Sequence, residues 1–141
     1  MIANDDRVFL KEGMNTVTLS LDPPTLTIRE GVECDGIYKL IDLYCDNKKC
    51  DCEIGVLIAS RQKNEEIVIK VGWQSPSYYM NHGFSSRDVR FLHYGLLDPQ
   101  VNQPAYAQWF MKYFRQLMGK DQSLTKYMRL RYHYTKIYES H

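Results

Sequence analysis

The sequence predicts an α+β domain: an antiparallel β-sheet of meanders and hairpins, packed by two C-terminal antiparallel α-helices. Three observations carry this. Residues 15–73 fall into short stretches with period-2 alternation or β-branched and aromatic enrichment, divided by turn-rich segments. From residue 103 the apolar spacing changes to threes and fours, the stripe of an amphipathic helix. The chain of 141 residues is long enough to bury one adequate core without disulfides, so a single domain over 1–141 is expected, β-rich in 1–100 and helical in 103–140.

Val17, Leu19 and Leu21 alternate with Thr16, Thr18 and Ser20, which predicts a strand. Pro23 and Pro24 end it because proline brings no N–H to a ladder. Residues 25–29 resume the pairing. Residues 36–45 (GIYKLIDLYC) read as a strand, DNKK as a turn, and residues 50–60 (CDCEIGVLIAS) as the return strand of a hairpin. Residues 67–73 (IVIKVGW) then extend the meander. Residues 74–102 read mainly as loop, with room for a short helix or strand.

Ala105, Trp109, Phe110, Tyr113 and Leu117 mark the first C-terminal helix, with Pro104 in its first turn and Gly119 at a left-handed C-cap. The second is expected from Asp121 or Ser123 to about Ser140. Its stripe is Leu124, Tyr127, Met128, Tyr134 and Ile137 or Tyr138. The short link between them implies antiparallel neighbours.

Hydrophobic residues make up 44% and charged residues 25%, an ordinary globular balance that excludes a low-complexity or disordered chain. The opening MIANDDRVFLKEG lacks a basic start and a long apolar run, and no window approaches a membrane span. A cytoplasmic protein with reduced thiols is the expectation. The net charge of +1 hides an asymmetry: residues 103–141 carry seven Lys/Arg against Asp121 and Glu139. That excess suits either an anionic partner or a solvated helical face.

The pattern Cys45-x₄-Cys50-x-Cys52 has the clearest chemical content. A four-residue turn would set Cys45 across from Cys50, and residues two apart on a strand share a face. Three thiols could then converge on Zn²⁺, whose borderline-soft character thiolates suit. Inert thiols, or a redox pair of Cys45 with Cys50, satisfy the same spacing. For a fourth ligand the candidates are Cys34, His82, His93, His133 and, least suited, the terminal His141. Cys34 qualifies only if the chain doubles back, since eleven extended residues span about 36 Å. His133, in the aromatic run RLRYHYTKIY, would reach the hairpin by docking of the last helix.

The run GIYKLIDLYCDNKKCDCEIGVLI, followed by IVIKVGWQSPSYY, LLDPQVNQPAYAQWFMKYF and YMRLRYHYTKIY, resembles an uncharacterised bacterial family with a YC-x₄-CDC motif. Many of its members end in a zinc motif of the type at the tail of the protein-export ATPase SecA. The resemblance covers residues 31–138 and implies that Tyr44, Cys45, Cys50, Asp51 and Cys52 act as one block, with metal the favoured occupant. It also sets His133 where the family carries an HY pair. The C-x-C…C-H/C tail is missing from these residues, and Glu53 and Ile54 stand where relatives continue with arginines.

Function therefore divides three ways. A zinc-binding, non-catalytic protein-interaction module fits the metal hairpin and the lack of any H-E-x-x-H, H-x-E or Ser-His-Asp arrangement. Nucleic-acid binding would use Lys126, Arg129, Arg131 and Lys136 with Tyr127, Tyr132 and Tyr134, although the pI near 7.7 is low for that role. An enzyme with an open zinc position would need Asp51 or Glu53 as general base.

Overall fold

The structure, a computed structural model, describes residues 15–139 apart from 48 and 63. Six strands, β1 (Thr16–Thr18), β2 (Thr25–Ile28), β3 (Gly36–Tyr44), β4 (Ile54–Gln62), β5 (Glu65–Gly72) and β6 (Leu96–Leu97), lie side by side in chain order. Every neighbouring pair is antiparallel, so the sheet is one continuous meander. Two helices, α1 (Pro76–Asn81) and α2 (Ser86–Leu92), intervene between β5 and β6. The chain closes with α3 (Ala107–Lys120), α4 (Ser123–Tyr134) and a π-helical turn over Thr135–Glu139. This is the α+β arrangement that the periodicity predicts.

Strand alternation divides the sheet into two unlike faces. Tyr38 and Leu40 of β3, Leu57 and Ala59 of β4, and Ile67, Ile69 and Val71 of β5 point to the inner face and are buried. Phe110, Met111, Phe114 and Met118 of α3, with Leu124 and Met128 of α4, cover that face in the same core cluster. The opposite, outer face carries Ile37, Lys39, Ile41 and Leu43 of β3, and Val56 and Ile58 of β4. At one end of this outer face α1 and α2 form a second cluster, in which Tyr79, Val89 and Leu92 pack on Ile54 and Leu96.

Several boundaries differ from the sequence expectation. Residues 74–102 hold two capped helices and a strand: Ser75 Oγ accepts the Tyr78 N–H at 3.3 Å and Ser85 Oγ accepts the Asp88 N–H at 3.1 Å. The Ser-Pro start of α1 is a helix-initiation signal that a loop assignment overlooks. Gly119 lies within α3 and is no left-handed cap, because the helix runs on to Lys120. Trp109, Tyr134, Ile137 and Tyr138, which the spacing places in apolar stripes, are exposed. The buried face of α4 instead follows Leu124, Met128 and Tyr132, three positions at a spacing of four.

Candidate functional site

The connection from β3 to β4 is where the chemistry-bearing residues gather. The last ladder pair is Tyr44 with Gly55, so all three loop cysteines lie off the sheet. Cys50 and Cys52 thus do not share a strand face, contrary to the expected return strand. A change of direction at Glu53 accounts for this: its φ of 55° is left-handed, outside the strand region and uncommon for a residue with a Cβ. That conformation costs about 1–2 kcal/mol, and hydrogen bonds to Glu53 from two elements offset it.

Those bonds tie the loop to helices on two sides. From α4, the Tyr132 hydroxyl accepts the Glu53 N–H at 3.2 Å and donates to the Cys50 carbonyl at 3.3 Å. One turn later Lys136 Nζ donates to the carbonyls of Cys45 (2.9 Å) and Asn47 (2.6 Å). From α1, the Tyr79 hydroxyl donates to the Glu53 carbonyl at 2.7 Å while accepting the N–H groups of Trp73 and Gln74. Tyr78 donates to the Asp51 carbonyl, and His82 Nε2 stands 3.1 Å from Asp51 Oδ1. The Glu53 carboxylate accepts from Trp73 Nε1 at 2.8 Å and Gln74 Nε2 at 3.1 Å, and its Oε1 lies 3.8 Å from His133 Nε2.

The electrostatics follow from this packing. Burial, chiefly, raises the pKa of Tyr132 far above its ordinary value, so its hydroxyl stays protonated. The His82 imidazole is raised above its usual value, first by the Tyr78 carbonyl on Nδ1 and then by Asp51. Both ring nitrogens face acceptors, which only the doubly protonated ring satisfies.

The structure separates the candidate ligands. Cys45, Cys50 and Cys52 are half-buried free thiols on one loop. Cys34 is wholly buried in the core beyond the far end of β3, and nine strand residues put about 30 Å between it and the loop. Burial, above all, raises the Cys34 thiol. His133 does reach the loop through Glu53, and His82 reaches it through Asp51. His93 instead bonds the Gln74 carbonyl, and His141 lies outside the described residues. Among the described residues no three His, Cys, Asp or Glu side chains stand together as a group able to hold a metal ion.

Residues proposed for nucleic acid are largely engaged inside the fold. Arg131 pairs with Asp42, Lys136 holds the loop carbonyls, and Tyr132 is buried. Lys126 and Arg129 remain on the surface, with Tyr134 exposed. The acids considered as general bases are also occupied, Asp51 by His82 and Glu53 by Trp73 and Gln74. The anchoring role of Trp73, Tyr78 and Tyr79 escaped sequence analysis, although SPSYY marked a capped helix start.

The chain matches no protein-family model, no curated protein and no solved structure. No described helix is long and apolar enough to cross a membrane.

Proposed function

We propose that this chain is a non-catalytic binding module that contacts a partner protein through the outer face of its sheet. The supporting observation is an apolar strip on β3: Ile41 and Leu43 are 43% and 50% exposed, and Ile37, 59% exposed, lies beyond the exposed Lys39 on the same face. Ile41 neighbours Ile58, and Leu43 neighbours Val56, so the strip continues onto β4. Contiguous exposed apolar surface on a folded domain marks interaction sites, whereas isolated apolar residues need no explanation. Helices α3 and α4 already cover the other face, so this one has apolar surface to spare. A photo-crosslinking residue at Ile41 should yield a discrete protein adduct in cells, reduced several-fold by Ile37→Lys, whereas one at Arg129 should not. Equal adducts from both positions would overturn this choice of surface.

A second reading is that the loop takes Zn²⁺ through Cys45, Cys50 and Cys52, with His133 as fourth ligand. Three thiols within eight residues, the docking of α4 on that loop and the YC-x₄-CDC resemblance support it. The thiols would have to turn toward one another, as they are not gathered now. Protein purified without added metal or chelator should hold about one zinc per chain, with thiols protected until a chelator is added. Freely reactive thiols and no zinc would sink this reading.

A further inference from the structure

A groove on the outer face points to a different kind of ligand. It encloses about 430 Å³, within the range of roughly 300–1,000 Å³ that small-molecule sites occupy. Leu43, Ile54, Val56 and Phe84 supply apolar walls. Leu43, Val56 and Lys70 form a single row across β3, β4 and β5, because Leu43 pairs with Val56 and Val56 with Lys70. Among the described residues lining the groove, Lys70 is the one charged side chain and none is a carboxylate. Among the described residues Lys70 makes no ion pair. Phe84, from the link between α1 and α2, supplies a wall above the sheet. Cys45 and Cys52 line the same groove at the loop.

We propose that this groove is a binding site for a small amphiphilic anion, an apolar chain ending in one carboxylate. The chain would lie along the row from Lys70 toward Leu43, burying apolar surface against Val56 and Phe84. Its head would sit at the Lys70 ammonium. An uncharged apolar molecule would leave that cation without a partner, and a cationic amphiphile would be repelled by it. The proposal goes beyond the partner-protein reading: it shares Leu43 and Val56 with that strip but concerns a free small molecule held at Lys70.

The test uses decanoate, decanol and decyltrimethylammonium with the whole chain, by calorimetry below micelle formation. Decanoate should saturate one site and bind about fivefold or more tighter than decanol, the worth of one partly shielded ion pair. Decyltrimethylammonium should be weakest of the three. Lys70→Met, which keeps the apolar stem, should equalise decanoate and decanol without abolishing decanol binding. Leu43→Asp, at an exposed position, should weaken decanoate at least about tenfold by setting a like charge in the groove. Saturating decanoate should slow alkylation of Cys45 and Cys52 several-fold, while Cys34 stays unreactive with or without it. Absence of saturable binding, equal affinity for decanoate and decanol, or retained preference in Lys70→Met would each overturn the proposal. So would alkylation rates that ignore decanoate.

Discussion

The Tyr132 hydroxyl and the Glu53 backbone N–H meet at 3.2 Å across 79 residues of sequence, joining the last helix to the bend that ends the cysteine loop. The same hydroxyl donates to the Cys50 carbonyl, so one buried phenol fixes two points on the loop. The Trp73 ring meets it edge-on at 5.3 Å, which confines the phenol's position. Loop geometry is therefore a property of how α4 docks.

Tyr132→Phe tests that dependence while keeping the ring and its packing. Loss of the hydroxyl should cost about 1–2 kcal/mol, since the half-buried Glu53 N–H and Cys50 carbonyl lose a shared partner. Urea unfolding should show a lower midpoint with an unchanged slope. Alkylation of Cys50 and Cys52 should quicken in native buffer. Unchanged stability and thiol rates would mean that the loop holds its shape without α4.

On the other side of the loop the critical position is Gly72. A Cβ built there would lie 2.5 Å from the Tyr79 hydroxyl oxygen. That oxygen serves the Trp73 and Gln74 N–H groups and the Glu53 carbonyl together. Gly72→Ala should therefore push Tyr79 aside and destabilise by about 1–3 kcal/mol through overpacking and broken bonds. Thermal unfolding would check the magnitude, and amide exchange at Trp73 and Gln74 should identify the bonds lost. Tyr79→Phe combined with Gly72→Ala should cost less than the sum of the two changes, because both act on one hydroxyl.

The Asp51–His82 pair should make loop attachment pH-dependent. A raised imidazole pKa means that the bond's contribution is fully present below the unfolded value near ~6.5 and is lost as pH rises through the folded value. An NMR titration should place His82 above ~6.5 in the native protein. Asp51→Asn should lower it, yet leave it raised to the extent that the Tyr78 carbonyl still accepts from Nδ1. A titration unaffected by Asp51→Asn would show that the carboxylate contributes nothing to the shift.

The strands and both long helices were legible because their apolar periodicities differ: two for TVTLSL and three to four for the segment after Pro104. The register of α4 was not. Tyr127, Tyr132, Tyr134 and Tyr138 offer competing stripes, and only the packing of Met128 against Gly55 and of Tyr132 against Trp73 selects the buried one. Gly55 allows that close approach, since a Cβ there would meet Met128 Cε at 2.6 Å.

The sequence by itself determined an α+β chain with three thiols around one strand-to-strand turn, because local spacing encodes which face of an element is apolar; that they lie off both strands came from the fold. Only the tertiary structure decided what surrounds those thiols. The partners of the loop, Tyr78, Tyr79, Tyr132 and Lys136, come from helices 26 to 91 residues away, mostly through backbone carbonyls. Carbonyls are common to every residue type, so no side-chain pattern announces them. The same holds for the groove at Lys70: its row of Leu43, Val56 and Lys70 exists only in the register of three paired strands.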